Sequence, residues 1–381
     1  MFKNKTRKNI VLSILLILFL GFLYFFNNIE KVQLVNRDGI SYEKAIVTEI
    51  IEDNIQEDGS RIGYHKIKVK ILSGKSKNKI LDATSFSGNL YGADCVVGMK
   101  VLVSISEHNG DTSVSVYSYY RANIIYVYIG LFLIMLWVIG GKKGLKSAIG
   151  LIFTFICIMF LFLPMLYKGY SPFLAAVINI ILISIVCLYL IDGLTKKSIS
   201  AMLGTIIGVI ISGVCAALFG HMAKISGYNV SEVEELIFIA SNTKLQVGGI
   251  LFAGILIASL GAIMDVSMSI ASTINEIYIH NKNISKKELF KSGINVGKDM
   301  MGTMSNTLIL AFTGGSINTL ILNYAYNLKY NQLINMYEIG IEIMQGISGS
   351  IAVILTVPLV SLISVYLLKL EIKKDGIENE A

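Results

Sequence analysis

Windows of about 20 consecutive apolar residues recur eight times along the chain, at roughly 10–27, 123–140, 145–166, 172–191, 199–220, 248–272, 301–323 and 346–368. Each is long enough to cross a bilayer. With 54 % hydrophobic and 15 % charged residues, too little polar surface remains to cover such a chain in water. The expected fold class is therefore a membrane all-α bundle of eight transmembrane helices, with the lipid bilayer as its solvent.

The net charge of +7 points elsewhere than to nucleic acid, because the basic residues cluster beside the apolar windows. Basic loops remain on the inner side of a membrane. One orientation satisfies them all: with the N-terminus inside, the inner side receives Lys3, Lys5, Arg7 and Lys8, then Lys142, Lys143 and Lys146, Lys196 and Lys197, Lys282, Lys286, Lys287 and Lys291, and lastly Lys373 and Lys374. The short outer loops hold little more than Lys168, Lys224 and Lys329. Both termini are thus expected in the cytoplasm of a cell whose inner membrane holds the protein. The first window follows a basic stretch as a secretory signal would, but NNIEKVQ after it lacks a small-x-small cleavage site, so it is read as an uncleaved anchor.

This topology assigns residues 1–28 to a cytoplasmic tail and first helix, 29–122 to an extracytoplasmic domain, 123–371 to a seven-helix bundle and 372–381 to a cytoplasmic tail. Within 29–122 the pattern changes to alternation: KAIVTEII, YHKIKVKIL, MKVLVSIS and TSVSVYSYY. In the second of these Ile67, Val69 and Ile71 share one face and Lys66, Lys68 and Lys70 the other, as a half-buried strand requires. Gly59, Gly74, Gly88, Gly98 and Gly110 punctuate the runs. About five short strands suggest an inserted small all-β domain, an OB-like barrel or a sandwich, serving either as a spacer or as a ligand-binding module.

Helix faces carry the next signals. Gly204, Gly208, Ser212, Ala216 and Gly220 repeat every four residues in the fifth window, and Gly254, Ala258 and Ala262 make a similar seam in the sixth. Small residues on one face let helices come close, so these two spans are expected to pack tightly, within or between chains.

The sixth window also carries Gly261, Asp265, Ser269, Ser272 and Glu276 at i, i+4, i+8, i+11 and i+15, one stripe of a helix. A charge near mid-bilayer costs about 2.5–3.5 kcal/mol or more, so Asp265 is a candidate for substrate or ion binding. Asp299, Thr303, Asn306 and Thr313 follow at helical spacing in the seventh window, and Asp265 and Asn306 count to similar depth. They either share one polar site or are polar glue between helices. Further on, Gly314, Gly315 and Ser316 interrupt the apolar run, either as a broken helix exposing backbone groups or as glycine packing. Before the last window, Glu338, Glu342, Gln345, Gly349, Ala352 and Thr356 align, with Pro358 beyond. Glu342 and Gln345, with the acidic segment SEVEEL at 231–236, make either a cation-attracting outer vestibule or a solvated amphipathic face.

Enzyme signals are thin. The stretch LSGKSKNK lacks the second glycine of a phosphate loop, and His65, His108, His221 and His280 offer no i, i+4 ligand pair. Cys95, Cys157, Cys187 and Cys215 show no disulfide or metal spacing. No catalytic activity, cofactor or metal is expected.

The segments GAIMDVSMSIASTINEI, ELFKSGINVGKDMMGTMSNTLILAFTGGS and EIMQGISGSIAVILTVPL, in this order, resemble the YibE/F family of bacterial multi-span membrane proteins over most of residues 123–370 and the preceding extracytoplasmic region. The resemblance places Asp265, Glu276, Gly293, Gly297, Asp299, Asn306, Thr307 and Gly346 where the family pattern carries like residues. Thr307 thereby joins the candidate site. Where the family often has a proline after the glycine pair, this chain has Ser316, Ile317 and Asn318, so the resemblance does not carry a sharp break there. The family is functionally undefined and described as permease-like. The reading is a transporter or permease component for an unknown small solute or ion, as a homo-oligomer or with a partner membrane subunit; the alternative is a non-transporting sensor or assembly partner whose β domain binds a protein or envelope ligand.

Overall fold

The computed structural model describes residues 14, 17–34, 38–57, 63–88, 92–108 and 111–369. Expectations resting on Lys3, Lys5, Arg7, Lys8, Gly59, Gly110, Lys373, Lys374 and the tail 372–381 fall outside these residues. The chain divides into two compact units, Gln33–Met135 and the combination of Met1–Val32 with Leu136–Ala381.

In the first unit, β1 (Ile40–Glu52), β2 (Gly63–Ile71), β3 (Ile80–Ser87), β4 (Lys100–His108) and β5 (Asp111–Tyr119) close into a barrel in the order β1-β2-β3-β5-β4. Of barrel and sandwich, the barrel forms. β1 pairs with both β2 and β4, and register shifts at Val47/Glu49 and Ile50/Glu52 bend it between them. Ile67, Val69 and Ile71 are fully buried, alongside Val47, Val101, Val103 and Val116. Lys66 and Lys68 on the opposite face pair with Glu52 and Glu49 of β1. β3 is the strand without an apolar run: its inward positions are Ala83 and Ser85, and Ser85 donates a hydrogen bond of 2.7 Å to the Ala93 carbonyl. LSGKSKNK forms the turn between β2 and β3.

In the helical part, α1 is Ile17–Phe26. The apolar run Ala122–Tyr167, 46 residues long, consists of α2 (Ala122–Cys157), a π-helical turn (Ile158–Phe162) and α3 (Leu163–Tyr167). A straight helix of that length would reach about 70 Å, more than twice the hydrocarbon thickness. At Gly141, however, φ 54° and ψ −134° leave helical geometry, between the windows read as the second and third spans. There follow α4 (Pro172–Asp192), α5 (Lys196–Ala223), α6 (Val233–Asn242), α7 (Ile250–His280), α8 (Lys286–Gly315), α9 (Ile317–Ala325), α10 (Tyr330–Leu333) and α11 (Tyr337–Lys369).

By length and hydropathy, five helices among the described residues qualify as spans, or six when the bent pair α8 and α9 counts as one. The count falls short of eight for two reasons. The described helix of the first window is too short, and helical hydrogen bonding runs across Gly141, merging two windows into one run.

α5, α7 and α11 form the centre of the bundle, with α8 against α11 and α7, and α4 against α5 and α7. The small-residue face of α5 makes this possible. Gly204 sits against Val360 of α11, Gly208 against Thr356 of α11 and Ile263 of α7, and Gly220 against Phe252 of α7. The expected packing of the fifth and sixth spans is present, but the seam expected to serve it on α7 lies elsewhere. Gly254 and Ala258 are exposed, and α7 instead meets α5 through Phe252, Leu256 and Ile263. The hollow lined by glycines on α5 accepts large side chains, so a second small face is not required there.

Candidate intramembrane site

α8 starts at a capping box. Ser285 Oγ accepts from the Glu288 amide at 3.1 Å, and Glu288 Oε2 accepts from the Ser285 amide at 3.1 Å. This fixes the helix start just after the basic turn that ends α7. Gly293 and Gly297, one turn apart, then bring α8 close to its neighbours: a Cβ on Gly293 would stand 2.6 Å from Ile274 Cδ1 of α7 and from Ser361 Oγ of α11. The apolar face of α7, with Ile263, Val266, Ile270 and Ile274, is buried in the bundle core.

The opposite stripe of α7 faces outward. Gly261, Asp265 and Glu276 are exposed, and Ser269 and Ser272 are half-buried. On α8, Asp299, Gly302, Thr303, Asn306, Thr307, Thr313, Gly314 and Gly315 are exposed as well. Asp265 and Asn306 thus lie on adjoining helices that each present a polar face to the outside of the single chain, with no hydrogen bond between them among the described residues. Thr303 and Thr307 turn back on their own helix, donating to the carbonyls of Met300 at 3.0 Å and Thr303 at 2.9 Å. Gly254, Gly261 and Gly302 have open space where a side chain would be.

The α8 helix breaks at Ser316, and α9 departs at 63°. The bend needs no proline. Beside it, a cavity of about 290 Å³ opens between α8, α9 and α11. Thr313, Ser316 and Glu342 are its polar lining, surrounded by branched aliphatic side chains. Glu342 Oε2 is itself buried and has no hydrogen-bond partner among the described residues.

The candidate residues therefore fall into two places rather than one. Asp265, Ser269, Ser272 and Glu276 lie on the outward polar face of α7, and Asp299, Thr303, Asn306 and Thr307 on that of α8; Thr313 lines the cavity with Glu342. Gln345 is half-buried and outside the cavity lining, and Glu232, Glu234 and Glu235 are exposed at or near the start of α6. Ser316 was not singled out as a site residue by its type; the glycine pair before it was the available signal. Among the described residues no group of three or more His, Cys, Asp or Glu could hold a metal ion.

Long apolar helices bearing such a strip define a multi-pass integral membrane protein. The chain belongs to the family described as YibE/F-like protein, whose sequence profile matches residues 128–370. Comparisons with curated proteins and with solved structures returned no match.

Proposed function

We propose that the protein is a transporter or permease component of the bacterial cell membrane, with both termini cytoplasmic, and that it works through the polar strip of α7 and α8. On this reading the spans number eight: α1 completes the first, and Gly141 divides Ala122–Tyr167 into two. The observation that carries the proposal is the exposure of Asp265, on a helix long and apolar enough to cross a bilayer. Lipid contact there is costly, so the strip requires water or another polypeptide against it. The open glycines Gly254, Gly261 and Gly302 favour a second helix coming close, and a second copy of this chain is the proposed cover. A small solute or ion then passes along the polar groups between the copies.

The test is flux in proteoliposomes driven by gradients of protons, sodium or potassium, comparing the native protein with Asp265→Asn. The amide keeps the shape and can still hydrogen-bond but carries no charge. Flux in the native protein with a loss of at least about tenfold in the variant is expected, a loss that corresponds to 1.4 kcal/mol in the barrier. A correctly inserted Asp265→Asn protein with native flux would reduce the residue to helix packing.

A further inference from the structure

We infer that the outer face of the barrel around Ile46 docks onto the anionic phospholipid headgroups of the leaflet that α2 enters, with Lys44, Lys70 and Lys100 holding their phosphates. The surface belongs to the barrel unit and stands independently of the transport reading.

The strand register builds the patch. Ile46 of β1 pairs with Lys70 of β2 on one side and with Lys100 of β4 on the other. Their chain neighbours Ala45, Val47, Val69, Ile71 and Val101 are buried, so Ile46, Lys70 and Lys100 point away from the barrel interior. Lys44, two residues before Ile46, shares that face, and diagonal neighbours on such a face stand about 7–8 Å apart. Three ammonium groups therefore surround one aliphatic side chain. Elsewhere on β2 the lysines have counter-charges: Lys66 pairs with Glu52 at 3.0 Å and Lys68 with Glu49 at 2.7 Å. Lys44, Lys70 and Lys100 have no acidic partner among the described residues. Like charges gathered without a counter-charge repel one another, and an anion between them removes that cost.

The path of the chain selects the anion. The Tyr120 backbone N–H donates to the Lys100 carbonyl at 3.1 Å, and the Lys44 ammonium lies 4.5 Å from the centre of the Tyr120 ring. Two residues later, at Ala122, α2 begins, and as far as Met135 it belongs to the same compact unit as the barrel. Two residues span at most about 7 Å. Each headgroup layer of a bilayer is roughly 5–8 Å deep. A patch anchored at Tyr120 thus meets phosphate groups at the level where α2 passes into hydrocarbon. Arg121 adds positive charge at this boundary, and Tyr126 and Tyr128, exposed on the first turns of α2, are of the type that settles at headgroup depth.

Acetic anhydride, a neutral reagent, acylates accessible lysines, and mass spectrometry reads each position separately. The purified full-length protein is compared in nanodiscs of phosphatidylcholine and in nanodiscs of phosphatidylcholine mixed equally with phosphatidylglycerol. Lys44, Lys70 and Lys100 should react at least about threefold more slowly in the anionic discs at about 0.1 M salt, and the difference should close at about 1 M, where screening is strong. Lys66, paired with Glu52, should react alike in both. Lys70→Gln should bring Lys44 and Lys100 in anionic discs back toward their rates in phosphatidylcholine. Equal rates for the three lysines in the two lipids, or a slowing shared by Lys66, overturns the inference. So does a slowing of the same size when inorganic polyphosphate is added to phosphatidylcholine discs, which assigns the patch to a soluble polyanion. A folded Lys70→Gln protein whose Lys44 and Lys100 stay slow is equally fatal to a shared site; should that variant not fold, the lipid, salt and polyphosphate comparisons on the native protein decide. Because the readout is lysine reactivity and not flux, failure here is separable from failure of the transport reading.

Discussion

Gly297 of α8 lies against Val357 of α11 so closely that a Cβ in place of the glycine hydrogen would overlap Val357 Cγ1. Gly293 one turn earlier is pressed against the same helix at Ser361, so two successive turns of α8 seat on α11. Gly297→Ala should destabilise the bundle by about 1–3 kcal/mol through overpacking. Val357→Ala in the same chain should restore part of that loss by vacating the space. Thermal unfolding of the four proteins in detergent measures the cycle, and additive losses in the double variant would show that the two residues do not press on each other.

The lysine distribution predicts which side of the membrane each loop occupies. A cysteine at Lys287, beside the α8 cap, should react with a membrane-impermeant maleimide only in opened cells, while one at Lys66 of β2 should react in intact cells. Labelling of the Lys287 position from outside would invert the proposed orientation.

If a second copy covers the α7–α8 strip, Gly261→Cys should give a disulfide-linked dimer under mild oxidation in membranes, since open space surrounds that position. Cysteine at Gly208, which is buried against Thr356 and Ile263, should give none. Equal yields from both would mean that the crosslink reports collision in the membrane and not an interface.

The alternating strands and their closed pairing predict that a fragment of residues 33–121 folds alone. It should be soluble and β-rich by circular dichroism. Ile67→Ala in that fragment removes a side chain of 0 % exposure and should cost about 2–5 kcal/mol in urea unfolding. A helical or disordered spectrum of the parent fragment would contradict the reading directly.

The barrel was legible where side chains alternate strongly, as at Ile67, Val69 and Ile71, whose neighbours are lysines. β3 was hard to read because Ala83 and Ser85 are too small to mark an inward face. In the bundle the period of a face is visible, but not which neighbour it meets. Gly204 to Gly220 pack inside while Gly254 and Ala258, spaced the same way, face out. Helices that are apolar nearly all round give little contrast between core and lipid. The same limit applies to Thr313 and Asp265: both are polar residues in apolar windows, and the 63° bend at Ser316, which turns α9 aside and opens the cavity beside Thr313, has no proline to announce it.

The barrel seams are unequal. β1, β2, β4 and β5 are joined by antiparallel ladders of six or more residue pairs, as is β3 to β2, whereas β3 and β5 meet in parallel at the single pair Thr84 and Ser115. A force applied to this module would part it along that line first, leaving a curved five-stranded sheet with β3 and β5 as its free margins. Opened so, Ala83, Val114 and Val116 would lose their cover together, and a module that is self-contained when closed would become one able to recruit a strand from elsewhere.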